Sequence, residues 1–475
     1  MGEGCRAEPA SQQTSQARPF TPTQTRTLRS FGAIGDGRTD DTAAMVRAFA
    51  YSDRYCLDGE RRVYSVTGTL RVARNFCLRN ASLIQAAAPV DTVHYIVRTC
   101  PPVQDPSAAI DCKDPAIPPA QVARLWKSLA IRTLLIRPGT DRPIRVNLER
   151  VKVDRGRYAE QGSRSDSAGI WLDGADRVDF RDVEITGDGK GYGLQITNAR
   201  NVTLTNLWIH DLVWAPYRGD QPLSQARVAA VGWNSVPIHE FRARDQGGAK
   251  EAKFYGVRIQ EQLTCASLAN VSHVRIVRPR IERCMARFDT GDLPWQTDGL
   301  DIGRSSVDVT ILAAKIESTW EGVDIAAGGE GIDQLRIDDL TVSNAFSFGL
   351  KMGYQLRNAS VSRLNIDGAG LAGVVVYGPV RDLRVIHASI RNVGTVRARP
   401  SSYSPWPRGN RAGVRIDGAD HSVPHSVVLD DIAVFGNPTS FEFGILNTGG
   451  TDIRLIRFRA QGFGIERSRG IDQAH

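Results

Sequence analysis

The sequence lacks any run of about 18 apolar residues, the length that a helix needs to cross a bilayer. It also lacks a block of basic residues and any motif that interleaves basic and aromatic residues, although 60 Lys and Arg against 52 Asp and Glu give a net charge of +8. We therefore expect neither a transmembrane segment nor nucleic acid as a partner. A mildly basic surface is compatible with an acidic polysaccharide.

Cysteine is scarce, with seven residues in 475, and no two C-x2-C pairs occur at the spacing of a zinc site. Cys100 and Cys112 bracket a loop without periodic structure, and either a disulfide in an oxidising compartment or two free buried thiols is compatible with the sequence. Three histidines share no repeat position and make no Ser-His-Asp or metal set, which predicts ordinary core or surface roles for His210, His273 and His387.

The two ends of the chain have little apolar content. Residues 1–27 are rich in Ser, Gln, Pro and Thr and contain no apolar core of the signal-peptide type, so we expect a disordered leader. A Gly-Cys pair at 4–5 resembles a lipid attachment site. The polar segment 466–475 predicts a frayed tail.

Most of the chain repeats a Gly-aliphatic-x-aliphatic tetrapeptide, at intervals of 23 to 27 residues where the run is unbroken. Each unit has a second β-rich segment, helical periodicity is almost absent, and the leucine and asparagine ladder of a leucine-rich horseshoe is missing. The pattern predicts an all-β parallel β-helix, a solenoid in which each coil stacks on the last. The tetrapeptides begin at Gly169, Gly193, Gly299, Gly322, Gly349, Gly373, Gly413 and Gly444.

We place this solenoid at residues 28–465 as a single domain. Three stretches interrupt the repeat and predict loop insertions near 98–135, 213–262 and 395–412. Long loops in a compact solenoid commonly form walls or lids of a functional site. The last two insertions flank the coils between 264 and 394, which singles out that region.

The N-terminal stretch "FGAIGDGRTDDTAAMVRAFA" places a Thr-Asp-Asp cap before a short amphipathic helix, expected from about Asp41 to Ser52. We expect the helix to plug the open end of the solenoid with the apolar face Ala43, Val46, Phe49 and Ala50. This stretch resembles the start of the pectate-lyase-like right-handed parallel β-helix superfamily, which includes polygalacturonase-type hydrolases, polysaccharide lyases, epimerases and phage tailspikes. The resemblance implies a single-stranded right-handed parallel β-helix with a capping helix.

The third residue of each tetrapeptide lies between two inward aliphatic residues and is expected to point outward. Because coils stack at about 4.8 Å, such residues form a column along the solenoid. The residues that precede each glycine form a second column. Acids occupy both columns on two adjacent coils and a lysine follows on the next coil, namely Asp298, Asp301, Glu321, Asp324 and Lys351.

Carboxyls about 5–8 Å apart raise at least one pKa, so that a protonated acid stands beside an ionised base. Glycoside hydrolysis requires this arrangement, with inversion at carboxyl separations of about 6.5–9.5 Å and retention at about 5–5.5 Å. We take Asp298 and Glu321 as the leading acid/base pair, assisted by Asp301 or Asp324, without a cofactor. The alternative is that the aspartates cap turns and that Lys351 only neutralises Asp324 as a structural ion pair.

The segment "QTDGLDIG" also resembles the Asn-Thr-Asp-Gly motif of polygalacturonase-type hydrolases, which implies that Asp298 is the catalytic aspartate. On the next coil "WEG" replaces the family's Asp-Asp pair, so Glu321 matches in charge only. Phe348 stands at the histidine of the family's Gly-His-Gly motif, and "VVY", which ends at Tyr377, replaces its Arg-Ile-Lys.

A metal-assisted lyase or epimerase on a uronic-acid polymer is the main alternative, because the four acids suit Ca²⁺ and Lys351 could act as a base. A non-catalytic carbohydrate-binding solenoid is the other. In each case we expect a polysaccharide or oligosaccharide partner and an extracytoplasmic location, whether secreted, periplasmic or lipid-anchored. The residues predicted to contact the sugar are Trp295, Trp320, Tyr354, Tyr377, Gln195, Arg415 and Trp233.

Overall fold

The computed structural model describes residues 22, 24–87, 91–99, 123–130, 132–156, 167–187, 191–214, 238–244, 263–286, 298–303, 305–326, 331–353, 355–394, 411–418, 423–436, 443–462 and 466–469. Most of the described residues are in β-strands. The helical segments among them are a 3₁₀ turn at Leu28–Phe31 and one α-helix, α1, at Thr42–Phe49. Within these residues no helix is long and apolar enough to cross a membrane.

The first half of the chain contributes strands of very unequal length. They are β1 Gln24–Thr27, β2 Asp36–Asp40, β3 Tyr55–Val66, β4 Leu70–Val72, β5 Phe76–Gln85, β6 Asp91–Thr99, β7 Ala123–Ala130, β8 Arg132–Ile136, β9 Ile144–Asp154, β10 Ala168–Arg181, β11 Glu184–Thr186, β12 Gly191–Thr205, β13 Trp208–His210, β14 Val213–Trp214 and β15 Ile238–Arg244.

The strands of the second half are more regular. They are β16 Leu263–Val277, β17 Arg280–Ala286, β18 Asp298–Gly303, β19 Ser306–Thr319, β20 Glu321–Ala326, β21 Ile332–Ala345, β22 Phe348–Gly353, β23 Leu356–Ala369, β24 Ala372–Tyr377, β25 Arg381–Val393, β26 Ala412–Asp417, β27 His425–Phe435, β28 Phe443–Asn447, β29 Thr451–Ile456, β30 Arg459–Gln461 and β31 Glu466–Arg469. From β18 to β25 a strand of six residues alternates with a strand of 13 or 14.

The strands pair in parallel with their counterparts in the next repeat. The short strands pair in the order β18, β20, β22, β24, β26 and β28, and the long strands in the order β19, β21, β23, β25 and β27. The predictions of an all-β chain and of parallel stacking at the tetrapeptide interval are confirmed by these pairings. A separate antiparallel sheet joins β6 to β7 and β15. The strands β7 and β15 lie within two of the predicted insertions, whereas β6 begins before the first of them.

The core is built from aliphatic side chains that repeat at one register position. Leu300, Val323, Leu350 and Val374 are successive register partners, and each is at most 1% exposed. Burying each such side chain contributes about 1.5–3 kcal/mol to folding. This row of buried side chains defines the inward side of the short strands β18, β20, β22 and β24.

The helix α1 packs on the N-terminal end of the stack, against β3 and β4, as predicted for a cap. The predicted face was right at Phe49, which is buried, and wrong at Ala43, Val46 and Ala50, which are exposed. The buried face consists of Ala44, Met45, Ala48 and Phe49, so Met45 and not Val46 packs inward with Phe49. Phe49 meets Phe76 edge-on with ring centroids 4.8 Å apart.

The ordered strands extend slightly beyond the predicted domain limits. At the N-terminus, β1 begins at Gln24 and pairs with β3, inside the predicted leader. At the C-terminus, β31 pairs with β28, inside the predicted tail. The strand β8 begins at Arg132 and pairs with β10, so the last four residues of the first predicted insertion, 132–135, belong to the stack.

Within the described residues two disulfides link strands of the stack, and neither was predicted. Cys56 and Cys77 bridge neighbouring repeats with Cα atoms 4.6 Å apart, and Cys265 and Cys284 bridge β16 to β17 with Cα atoms 6.1 Å apart. The aromatic-Cys-Leu pattern shared by residues 55–57 and 76–78 is a signal for the first bridge. The predicted alternatives for Cys100 and Cys112 lie outside the described residues.

Candidate active site

The short strands bring the predicted columns together. In strand register Asp298 is the partner of Glu321, Asp301 of Asp324, and Asp324 of Lys351. The column predicted from the tetrapeptides is confirmed from end to end, as Trp171, Gln195, Ser267, Asp301, Asp324, Lys351, Val375 and Arg415.

Gly299 explains how two acids three residues apart share one side of a strand. A Cβ on Gly299 would lie 2.6 Å from the Gly322 carbonyl oxygen and 2.6 Å from Ile316 Cγ2, so this residue faces the crowded interior. Leu300 also faces the core, and two consecutive inward residues break the alternation of the strand. Asp298 and Asp301 are therefore both directed away from the core.

Three carboxyl groups form a compact cluster on this side of the strands. One oxygen from each of Asp298, Glu321 and Asp324 lies within 4.8 Å of the other two. The side chains are almost completely removed from solvent, since the three residues are 2%, 3% and 3% exposed. Buried carboxyls at this spacing cannot all carry a charge without a compensating cation or proton.

Lys351 supplies a positive charge to this cluster from the next repeat. Its Nζ donates to Asp324 Oδ2 at 2.8 Å and to Glu321 Oε2 at 2.9 Å. The same nitrogen lies 5.7 Å from the centroid of the Tyr377 ring, a distance at which the ring face attracts a cation. The lysine is itself mostly buried, so these ion pairs are little screened by water.

The electrostatics of the cluster favour one or more shared protons. Burial raises the pKa of Asp298 well above its ordinary value, and the charges of Glu321 and Asp324 raise it further. Burial and the neighbouring Asp324 also raise the pKa of Glu321, against the lowering effect of Lys351. The pKa of Lys351 is raised because the carboxylates outweigh its desolvation, so the ammonium remains protonated.

Asp301 belongs to the edge of the cluster. It is half-buried and accepts a hydrogen bond of 2.9 Å from the Ser267 hydroxyl on the preceding repeat. Its charge adds the smallest of the contributions that raise the pKa of Asp298. Four of the five predicted catalytic residues thus form one buried network, with Asp301 beside it, and their catalytic roles remain predictions.

The predicted sugar contacts divide into three groups. Trp320 immediately precedes Glu321 and stacks on the buried Phe346 with ring centroids 4.4 Å apart, a neighbour that sequence reasoning missed. Tyr377 is next to the lysine, as described above. Trp295, Tyr354 and Trp233 lie outside the described residues.

Gln195 and Arg415 lie in the same column as Asp301 and Asp324, on opposite sides of these acids. Gln195 Oε1 is buried and has no hydrogen-bond partner in the part of the chain that the structure describes. Arg415, two repeats beyond Lys351, is held by Asp417 through an Nε–Oδ2 distance of 2.6 Å. Arg415 is thus engaged within its own strand.

The residues of the cluster do not fit the Ca²⁺ required by the lyase alternative. Oxygen ligands from three carboxyls would suit a hard cation. However, the Lys351 ammonium already bonds to two of the three, and a second cation among the same oxygens would meet its charge at close range.

No known family model matches the chain, and no curated protein matches it. Among solved structures, the chain is similar to PfbA, a surface adhesin of Streptococcus pneumoniae, at 11% identity over 94% of this chain and 93% of that chain, with a TM-score of 0.42. It is also similar to the A-module of the Azotobacter vinelandii mannuronan C-5 epimerase AlgE6, at 12% identity over 94% and 98%, with a TM-score of 0.40.

A third similar structure is the Dettilon tailspike protein gp208, at 11% identity over 91% of this chain and 68% of that chain, with a TM-score of 0.46. All three TM-scores are below 0.5. The architecture of the chain therefore rests on its own strand pairings, and its chemistry on the acid cluster.

Proposed function

We propose that the chain is a right-handed parallel β-helix that cleaves a polysaccharide or oligosaccharide by glycoside hydrolysis. The observation that carries the proposal is the buried cluster of Asp298, Glu321 and Asp324, whose oxygens lie within 4.8 Å of one another beside Lys351. Adjacent carboxyls with unequal protonation are the chemical requirement of this reaction.

The roles follow from the position of the ammonium group. Lys351 donates to Glu321 and Asp324, which stabilises negative charge on those two carboxyls. We assign the retained proton to Asp298, whose pKa is raised by burial and by both neighbouring acids, and the negative charge to Glu321, where the hydrogen bond from Lys351 opposes the rise in pKa. Asp298 is then the general acid that protonates the leaving oxygen, and Glu321 is the ionised partner, with Asp324 beside it.

The spacing of the oxygens favours retention of the anomeric configuration. Inverting hydrolases hold their carboxyls about 6.5–9.5 Å apart to admit a water, whereas retaining hydrolases hold them about 5–5.5 Å apart. One oxygen from each of the three carboxyls lies within 4.8 Å of the other two, a spacing that is below the inverting range and nearer to the retaining one, although slightly below it as well. We therefore assign Glu321 as the nucleophile of a covalent glycosyl-enzyme, which water then releases.

Hydrolysis is favoured over elimination by the state of Lys351. A lysine that abstracts the proton next to a uronate carboxyl must first lose its own proton. The surrounding carboxylates raise the pKa of Lys351 and oppose that loss. Two disulfides support an oxidising, extracytoplasmic location for the enzyme.

A panel of acidic and neutral polysaccharides incubated with the purified protein tests the proposal. We expect new reducing ends from at least one polymer, without the ultraviolet absorbance of an unsaturated uronate. Unsaturated products would establish a lyase instead. Binding of a polymer without any cleavage would establish a carbohydrate-binding solenoid.

A further inference from the structure

The buried cluster has the dimensions of a cation site. Ca²⁺ binds oxygen at about 2.3–2.6 Å, so the oxygens around one ion lie within roughly 5 Å of one another. The nearest oxygens of Asp298, Glu321 and Asp324 meet that condition, with a limit of 4.8 Å. In addition, Asp324 Oδ1 is buried and accepts no hydrogen bond within the described part of the chain.

One side chain occupies the place of the ion. The Lys351 ammonium bonds to two of the three carboxyls at 2.8 and 2.9 Å, and it lies 5.7 Å from the centroid of the Tyr377 ring. The ammonium carries one positive charge where a divalent ion would carry two, and it occupies the oxygens that such an ion would bind.

We propose that Lys351 is a built-in substitute for a divalent cation, which makes the wild-type site independent of metal and closes it to Ca²⁺. The inference deepens the proposed function and rests on it for the reaction that the cluster serves. It can nevertheless be tested without the reaction, because it predicts that removal of the Lys351 side chain converts the cluster into a metal site.

The test compares Ca²⁺ binding by the wild-type protein and by Lys351→Ala, with calorimetric titration of CaCl₂. We expect the variant to bind one Ca²⁺ per chain with a Kd of about 10⁻³ M or tighter, the range of extracellular Ca²⁺ modules. The wild-type protein should bind at least about tenfold more weakly or not at all. Thermal unfolding gives a second readout, because Ca²⁺ should raise the Tm of the variant and leave that of the wild type unchanged.

Two control variants separate a specific site from a change in net charge. Lys315→Ala removes one positive charge from an exposed position on β19 and should not create Ca²⁺ binding. Asp324→Asn in the Lys351→Ala background removes the oxygen-rich partner and should abolish the new binding. If Lys351→Ala does not fold, Lys351→Gln replaces it, and the same gain of Ca²⁺ affinity is expected.

Equal Ca²⁺ affinity of the wild type and the lysine variant would overturn the proposal, because the ammonium would then not exclude the ion. Failure of the folded variant to bind Ca²⁺ would overturn it as well, because the cluster would not be a cation site. Neither readout needs a substrate. If Lys351→Ala gains the Ca²⁺ site but the wild-type protein hydrolyses no polymer, the proposed function is refuted and this inference stands.

Discussion

Asp298 and Glu321 are register partners on adjacent parallel strands, and both side chains are almost completely buried. Two carboxyls that are so close and so deeply buried carry at most one negative charge between them, unless a cation lies beside them. Lys351 donates a hydrogen bond to Glu321, and this bond together with the charge of the ammonium opposes the rise in the pKa of Glu321. The roles that we assign to the two acids rest on this bond and on the raised pKa of Asp298.

The amide variants Asp298→Asn and Glu321→Gln should each reduce kcat by about 10²–10⁴-fold, because each removes a carboxyl that acts on the reacting bond. Kinetics on the polymer found by the substrate screen would measure the loss, with circular dichroism to confirm the fold. Asp382→Asn, on the exposed surface of β25, is the matched control and should keep full activity. Wild-type turnover in both cluster variants would remove these residues from the mechanism.

Stability should depend on pH through Asp298. Its folded-state pKa is raised above the ordinary 3.8, so the folded protein holds the proton more tightly than the unfolded chain. Stability from this group is therefore fully present below about pH 4 and decreases as the pH rises toward the raised pKa.

Replacement of Asp298 by Asn should remove that decrease. The Tm of Asp298→Asn minus that of the wild type should accordingly become more positive between pH 4 and pH 8, measured by differential scanning calorimetry. Asp382→Asn should show no such trend, because its side chain is exposed. A Tm difference that is independent of pH would contradict the raised pKa of Asp298.

The ammonium of Lys351 should be a major determinant of stability. Lys351→Met leaves buried carboxyls without their cation, and the loss of one partner from a buried ion pair costs about 3–5 kcal/mol. Lys315→Met, at an exposed position, should change the free energy of unfolding by less than about 0.5 kcal/mol. Urea titration of both variants measures the difference, and equal effects would show that the buried ion pairs contribute little.

The disulfides predict the number of free thiols. Since Cys56, Cys77, Cys265 and Cys284 are bonded, at most three of the seven cysteines can react in the denatured, unreduced protein. A thiol titration should give three if Cys100 and Cys112 are free and one if they are bonded to each other. Five or more reactive thiols would contradict the structure.

The columns of the site could be predicted from sequence because strand alternation and the interval between glycines fix the register. Gly299, Gly322 and Gly349 follow one another at intervals of 23 and 27 residues, and the acids and the lysine lie at constant offsets from them. The depth of burial could not be predicted in the same way. The 2% exposure of Asp298 depends on the packing of neighbouring repeats and on long side chains such as Lys351.

Other features depended on details that periodicity does not encode. The sequence of α1 offers two apolar faces, one through Met45 and one through Val46, and the face through Met45 is the buried one. The disulfide between Cys56 and Cys77 depends on an offset of 21 residues, shorter than the interval of the later repeats. The reaction itself depends on protonation states, which only the distances among carboxyls and lysine define.

The central claim, hydrolysis through a covalent intermediate on the acid cluster, is tested most directly by digestion of the cleaved polymer in water labelled with heavy oxygen. Mass spectrometry and proton NMR of the first products would report the label and the anomer. We predict one labelled oxygen at each new reducing end, retention of the anomeric configuration, and no such product from Glu321→Gln. Unlabelled, unsaturated ends, or label incorporated at an undiminished rate by Glu321→Gln, would contradict the account.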